Sequence, residues 1–143
     1  MKVTDRFIGL APQIHGVLRI IVGALFATYG AQKLFGAFGG IPAGAAPAWV
    51  QYGGGSIEFF GGLLIALGLF TRPVAFLCSG TMAVAYFYGH VYLAPVKSFW
   101  PNVNGGDKAV LYCWIFLFFA AAGAGAFALD NLIGRRKVAY HTS

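Results

Sequence analysis

AVLYCWIFLFFAAAGAGAFAL, residues 109–129, contains no charged residue and no amide side chain. A helix needs about 20 mostly apolar residues to cross the hydrocarbon core of a bilayer, which is about 30 Å thick. The stretch is long enough and apolar enough to do so. It therefore predicts a transmembrane helix over residues 109–129.

Three further apolar blocks precede it, at residues 17–35, 52–70 and 73–92. The connection at Thr71–Pro73 is very short, which predicts that neighbouring helices run antiparallel. Small residues four positions apart, Gly23 with Ala27 and Gly62 with Ala66, predict close approach between helices. The blocks together predict an all-α membrane protein, a four-transmembrane-helix antiparallel bundle that forms a single domain over residues 1–143.

The composition excludes an ordinary soluble enzyme. Of 143 residues, 59% are hydrophobic and only 10% are charged, whereas soluble domains carry about 25% charged residues. The 10 Lys and Arg residues outnumber the 4 Asp and Glu residues. They are scattered between apolar blocks instead of clustering on one face, so nucleic acid is not predicted as a partner.

The positive charges predict the orientation in the membrane, because cytoplasmic ends carry more Lys and Arg. Seven lie on one side of the predicted bundle: Lys2, Arg6, Arg19, Arg72, Arg135, Arg136 and Lys137. Three lie on the other: Lys33, Lys97 and Lys108. This distribution predicts that both termini are cytoplasmic and that Trp49 and Trp100 anchor the outer connections at headgroup level.

Several polar residues are predicted to lie at the same depth in the membrane. Arg19 and Lys33 are about 21 Å apart along one helix at 1.5 Å per residue, and Glu58 and Arg72 are equally spaced on the next. His90 reaches the same outer layer as Lys33 and Glu58. The predicted ligand-binding residues of the outer leaflet are Gln32, Lys33, Glu58 and His90.

Two main interpretations of this cluster remain open, besides the alternative that these side chains are solvent-exposed and unpaired. Lys33 and Glu58 could simply neutralise each other and stabilise helix packing. Alternatively, the cluster lines a polar pocket in which Glu58 and His90 act catalytically by exchanging a proton, while Lys33 or Gln32 donates to a carbonyl or an anion. At the cytoplasmic end, the matching depths of Arg19 and Asp130 predict a structural ion pair.

The sequence argues against several cofactors. A transmembrane haem needs two axial histidines at one depth, but His15, His90 and His141 are predicted at different depths. Cys78 and Cys113 are predicted in opposite leaflets, too far apart for a disulfide. They also lack metal-binding spacing. We expect no metal and no covalently bound cofactor.

Several segments carry a family resemblance: LRIIVGALFATYGAQKLFG, SIEFFGGLLIALGLFTRPVAFL, MAVAYFYGH, NGGDKAVLY and AGAGAFALD. In this order, and over almost the whole chain, the sequence resembles the DoxX family. The family often has Glu where this chain has Asp107, and a Gly-Pro-Gly where this chain has Gly123, Ala124 and Gly125. The missing proline predicts a straighter fourth helix.

The resemblance implies a multi-pass protein of the bacterial inner membrane. Some relatives are small membrane subunits of quinone-linked oxidoreductases, such as thiosulfate:quinone oxidoreductase. The resemblance therefore implies a quinone as ligand and an oxidoreductase subunit or a second copy as partner, besides the lipid bilayer. The alternative is a non-catalytic membrane scaffold or a bundle that binds a lipid or another small molecule.

Overall fold

The computed structural model describes residues 3–42 and 44–134, with side chains from residue 7 onward. Every regular element within these ranges is helical, as the apolar blocks predict. The α-helices are α1 (Val3–Phe35), α2 (Gly55–Leu67), α3 (Thr71–Val84), α4 (Pro101–Asn104) and α5 (Asp107–Ala122). A 3-10 turn covers Ala37–Gly39, and π-helical segments cover Trp49–Gly54 and Ala85–Leu93.

Helix α1 begins fourteen residues before the block that predicted it and continues through Pro12. Its 33 residues correspond to a length of about 50 Å. The backbone N–H of Ala126 donates to the carbonyl of Pro12 at 3.2 Å. The early part of α1 is thus docked against the segment that follows α5, a tertiary contact that hydropathy does not reveal.

Helices α1 and α2 cross at very close range, as the small residues predict. A Cβ atom on Gly23 would lie 2.5 Å from the backbone nitrogen of Ala66, and one on Gly62 would lie 2.5 Å from that of Ala27. No side chain fits in either place. The glycines therefore let the two backbones pack directly on each other, which confirms the predicted close approach.

The connection between α2 and α3 is short, but it lies three residues earlier than predicted. Gly68 ends α2 in the left-handed conformation, with φ 68°. The backbone N–H groups of Phe70 and Thr71 both donate to the carboxylate of Asp130, at 2.8 and 2.9 Å. Asp130 therefore caps the N-terminus of α3, where a negative charge is favourable.

The predicted continuous helix over residues 109–129 is wrong, and so is the expectation of a straighter fourth helix. Helix α5 ends at Ala122. Gly123, Gly125 and Phe127 then adopt positive φ values of 90°, 66° and 57°, and helix resumes at residues 129–134. Glycine adopts this conformation at little cost, so the Gly-Ala-Gly sequence breaks the helix without a proline.

Arg19 holds this break in place from α1. Its side chain is fully buried. The guanidinium donates to five backbone carbonyls at 2.6–3.2 Å, which belong to Ile65, Ala66, Ala124, Ala126 and Phe127. These carbonyls belong to the last turn of α2 and to the broken segment. They lack some of the backbone hydrogen bonds that a continuous helix would give them.

The predicted Arg19–Asp130 ion pair is not formed in the described part of the chain. The Arg19 donors are occupied by carbonyls, and the Asp130 carboxylate accepts from the start of α3. Each charge satisfies backbone groups at helix ends, which a sequence-based depth estimate does not anticipate. We call this end of the molecule the Arg19 end.

The prediction that Cys78 and Cys113 lie in opposite leaflets is also wrong. The hydroxyl of Ser79 donates to the Cys113 carbonyl at 2.8 Å and lies 3.5 Å from its Sγ. Because α5 ends seven residues earlier than predicted, Cys113 lies near its middle and opposite the residue that follows Cys78. Both cysteines are free thiols.

Much of the outer surface is apolar on every long helix. Leu25 of α1, Phe60 of α2, Phe76 of α3 and Trp114 of α5 are all more than half exposed. Large apolar surfaces on a protein mark contact with a membrane or another protein. Two helical segments, Phe7–Phe35 and Thr71–Leu93, are long and apolar enough to cross a bilayer.

Candidate functional site

A cavity of about 530 Å³ lies at the end of the molecule opposite to Arg19, which we call the Glu58 end. The start of α2, the π-helical segment after α3 and the loops on either side form its walls. Its polar lining residues are Lys33, Glu58, Thr81, His90 and Asn104, and its larger apolar ones include Trp49, Val50, Val84, Tyr88 and Leu93. It thus combines an apolar wall with a few converging polar groups, as small-molecule sites do.

Lys33 and Glu58 form a salt bridge in the cavity wall. The ammonium of Lys33 donates to Oε1 of Glu58 at 2.5 Å, and only 4% of the Glu58 side chain is exposed. The close crossing of α1 and α2 makes this contact possible, because a Cβ on Gly55 would already lie 3.0 Å from that of Lys33. The second carboxylate oxygen, Oε2, is buried and has no hydrogen-bond partner among the described residues.

His90 lies on the π-helical segment Ala85–Leu93, a type of helix that is frequent at functional sites. Its Nδ1 is 3.2 Å from the carbonyl oxygen of Asn104. A carbonyl can only accept, so Nδ1 carries the hydrogen. When the ring is neutral, Nε2 is therefore an acceptor, and it contacts no donor in the described part of the chain.

Asn104 holds the loop that supports His90. Its amide nitrogen donates to the Ser98 carbonyl at 2.8 Å, and its amide oxygen accepts from the backbone N–H of Gly106 at 2.9 Å. The side chain is buried, and both of its polar atoms are occupied. Asn104 therefore positions the imidazole through its own backbone, and its side chain is not available to a ligand.

A second, smaller cavity of about 180 Å³ adjoins the first. Lys33, Glu58, Ala85 and His90 line both cavities. The remaining walls of the smaller one are mainly aromatic and cationic, from Phe26, Tyr29, Met82, Lys108, Ala109 and Tyr112. The predicted residues Lys33, Glu58 and His90 thus form the partition between two cavities.

Gln32 does not belong to this site, and its prediction as a ligand-binding residue is corrected. Its amide nitrogen lies 3.5 Å from the carbonyl oxygen of Phe38, and Gln32 lines neither cavity. One residue along a helix corresponds to a rotation of about 100°. Because Lys33 faces α2, its neighbour Gln32 points in another direction.

Sequence reasoning missed the aromatic wall. The rings of Trp49 and Tyr88 have centroids 5.2 Å apart, and both line the larger cavity. Trp49 was predicted as an interfacial anchor, since its position between apolar blocks suggests nothing else. The π-helical segments that turn these residues toward the cavity have no recognisable sequence signature.

Other parts of the described chain offer less chemistry. An apolar groove of about 640 Å³ lies near the Arg19 end, and none of its lining residues is titratable. Within residues 3–42 and 44–134, no group of three His, Cys, Asp or Glu residues is placed to hold a metal ion. The two cavities beside Glu58 remain the candidate site.

Comparisons with known proteins agree with the sequence resemblance. The DoxX family model matches residues 15–91. An uncharacterised protein of Haemophilus influenzae is 42% identical over 124 residues, which cover 84% of this chain and 90% of that protein. The inner membrane protein YqjF of Escherichia coli is 30% identical over 133 residues, which cover 84% and 92%. No solved structure matches the chain significantly. The family match over more than half of the chain, and the extent of both alignments, show that the chain belongs to the DoxX family.

Proposed function

We propose that this chain is a four-span protein of the bacterial inner membrane, with both termini in the cytoplasm, and that the cavities beside Glu58 bind a quinone-like headgroup in the outer leaflet. Four helical segments with exposed apolar side chains support the number of spans. The name of the Escherichia coli relative supports the membrane, and the count of Lys and Arg residues along the sequence supports the orientation.

The arrangement of Lys33, Glu58 and His90 around one cavity carries the proposal. A quinone headgroup needs a hydrogen-bond donor for its carbonyl oxygens and a group nearby that exchanges protons. The Lys33 ammonium has three N–H donors, and Glu58 Oε1 takes one. Glu58 and His90 are the proton-exchanging groups. A volume of about 530 Å³ lies within the range of small-molecule sites.

In this role the protein is the membrane subunit of a quinone-linked oxidoreductase, with a redox partner that supplies or accepts electrons. Trp49 and Tyr88, which line the cavity, would hold the ring of such a ligand. Glu58 and His90 act as the catalytic proton-exchanging pair, and Lys33 orients the headgroup.

The second candidate is a membrane scaffold without turnover. The 2.5 Å contact between Lys33 and Glu58 favours it, because this contact joins α1 and α2 whether or not a ligand is present. In that case the same cavity holds a lipid or another small molecule without chemistry. The two candidates differ in whether a quinone binds at this position.

Ligand binding tests the proposal. We expect tetramethyl-1,4-benzoquinone to raise the melting temperature of the purified protein in nanodiscs, since a ligand at one hundred times its Kd stabilises the folded state by about 2.7 kcal/mol. Ala85→Leu fills the partition between the cavities and should abolish the shift. The matched variant Ala83→Leu changes the same helical segment outside both cavities and should retain it.

A second variant tests the polar groups. Lys33→Met combined with Glu58→Gln removes the ion pair without leaving either charge unpaired, and we expect it to weaken binding at least tenfold. Asp107→Asn, an exposed carboxylate at the same end of the molecule, is its control. If all these proteins fold and bind the quinone equally, the site is not used and the scaffold candidate replaces the proposal.

A further inference from the structure

The smaller of the two cavities carries more positive charge than the larger one. Lys33 and Lys108 both line it, whereas Lys108 does not line the larger cavity. Lys33 is neutralised by its salt bridge to Glu58. The described residues give Lys108 no ion pair of this kind, although Asp107 precedes it in the sequence. Two ammonium groups and one carboxylate therefore leave a single positive charge in excess while His90 is neutral.

Lys108 lies in the first turn of α5, at the exposed edge of the smaller cavity. Its Nζ atom is 5.6 Å from the centroid of the Tyr29 ring on α1. This cation–π contact holds the ammonium over the face of the ring. The ring takes none of the three N–H groups as a conventional hydrogen-bond acceptor would, so they are available to a ligand.

Two phenol groups add neutral donors to the same cavity. Tyr29 and Tyr112 line the smaller cavity and not the larger one, and their ring centroids are 6.1 Å apart. Both side chains are half-buried, and neither hydroxyl has an acceptor among the described residues. With the free N–H groups of Lys33 and Lys108, these hydroxyls make donors the prevailing polar groups of the smaller cavity. Such a lining indicates a ligand that is rich in acceptors.

We infer that the smaller cavity is a separate binding site for a small carboxylate with one negative charge. A carboxylate accepts about four hydrogen bonds through its two oxygens and has no donor of its own. Hydrogen bonds between ionised groups are about twice as strong as those between neutral groups. A ligand with two negative charges is disfavoured, because its second charge meets no cation in excess and is repelled by Glu58 in the cavity wall.

The remaining walls determine the body of this ligand. They are apolar and come from Phe26, Met82, Ala85 and Ala109. A volume of about 180 Å³ is below the range of cavities that hold drug-sized molecules, so the carboxylate is attached to a single ring or a short chain. The ligand differs from a quinone headgroup in charge. The inference therefore adds a second ligand and does not require that a quinone binds.

Melting temperatures test the inference on the full-length protein in phosphatidylcholine nanodiscs at constant ionic strength. The probes are benzoate and benzamide, which have nearly the same shape but differ in charge. We expect benzoate to raise the melting temperature until it saturates the site, and benzamide at the same concentrations to leave it unchanged. Lys108→Met should weaken benzoate binding at least tenfold, since it removes a charge-assisted hydrogen bond. Lys97→Met, an exposed lysine that lines neither cavity, should leave the affinity for benzoate unchanged.

A double variant tests the phenol groups. Tyr29→Phe combined with Tyr112→Phe keeps both rings but removes both hydroxyls, and we expect it to weaken benzoate binding about fivefold. The melting temperature without a probe shows whether each variant is folded.

Three results would overturn the inference. The first is equal stabilisation of the wild-type protein by benzoate and benzamide, or by neither. The second is a folded Lys108→Met protein that binds benzoate as tightly as the wild type. The third is stabilisation by phosphatidylglycerol in the nanodiscs that depends on Lys108, without any effect of benzoate, because the cavity then takes a lipid phosphate. The response to tetramethyl-1,4-benzoquinone is measured separately on the same proteins, so a failure with benzoate leaves the proposed function standing.

Discussion

Arg19, Arg72 and Asp130 lie at one end of the molecule and bind backbone atoms at helix ends. Arg72 donates to the carbonyls of Ala120 and Ala121 at 3.1 and 2.5 Å, in the last turn of α5. Arg19 donates hydrogen bonds to carbonyls at the end of α2 and in the segment after α5. Positive charge at helix C-termini and negative charge at N-termini are both favourable. In an apolar surrounding these contacts replace the water that a soluble protein would use.

Arg19→Met should lower the free energy of unfolding by at least about 3 kcal/mol, because each buried carbonyl left without a donor costs about 1–3 kcal/mol. Arg19→Lys should recover only part of this loss, since an ammonium cannot reproduce the planar fork of a guanidinium. Thermal unfolding of the purified protein measures both changes.

The exposed Lys97, whose described hydrogen bond is to the carbonyl of Tyr92, provides the control for Arg19. Lys97→Met removes a cation of similar length, and its effect should stay within about 0.5 kcal/mol, as for most surface substitutions. If Arg19→Lys proves as stable as the wild type, the number and geometry of the Arg19 hydrogen bonds do not matter for the fold.

At the scale of elements, the crossing of α1 and α2 determines where the site lies. Gly23 and Gly62 set the distance between the two backbones, and Gly30 continues the contact against the backbone of Phe59. Lys33 lies about one turn after Gly30 on α1, and this places it beside Glu58. A wider crossing would separate the ammonium from the carboxylate.

Gly23→Ala and Gly62→Ala should therefore each destabilise the protein by about 1–3 kcal/mol, the usual cost of overpacking. Both added methyl groups meet backbone atoms, which cannot rotate away. Gly80→Ala on α3 is the matched control, because a Cβ there meets nothing within 4 Å. It should be neutral or stabilising by up to about 1 kcal/mol, since alanine favours helix over glycine.

The melting temperatures of these three variants show how much the close crossing of α1 and α2 contributes to stability. The two crossing variants should also weaken the response to tetramethyl-1,4-benzoquinone, because they displace Lys33 from Glu58. Unchanged stability in Gly23→Ala and Gly62→Ala would mean that the helices separate freely at this point.

At the scale of the whole molecule, the proposed orientation places the Glu58 end at the periplasmic face of the inner membrane. In a background lacking Cys78 and Cys113, Phe38→Cys should react with a membrane-impermeant maleimide added to intact spheroplasts. Phe38 is 72% exposed in the connection between α1 and α2. Asn131→Cys, exposed at the Arg19 end, should react only after the membrane is opened. The reverse pattern of labelling would invert the orientation and move the candidate site to the cytoplasmic side.

Hydropathy and charge predicted the helical class, and the small-residue pattern predicted the close crossing of α1 and α2. Depth along the helices brought Lys33, Glu58 and His90 to one layer, because a constant rise per residue holds along regular helices. The same calculation misplaced Cys113 and paired Arg19 with Asp130, because it assumed that the fourth helix is continuous. The glycine-rich break depends on five hydrogen bonds from Arg19, a tertiary effect that periodicity cannot show.

The hydrogen bonds of Arg19 also join a residue that is synthesised early to residues that are synthesised late. On the ribosome, α1 leaves first, and its guanidinium enters the membrane before any of its carbonyl partners exist. Ile65 and Ala66 arrive with α2, whereas Ala124, Ala126 and Phe127 are translated near the very end. An unpaired arginine in hydrocarbon is costly. A nascent chain that stops before residue 124 therefore keeps an arginine in its first helix that has only the carbonyls of Ile65 and Ala66 as partners.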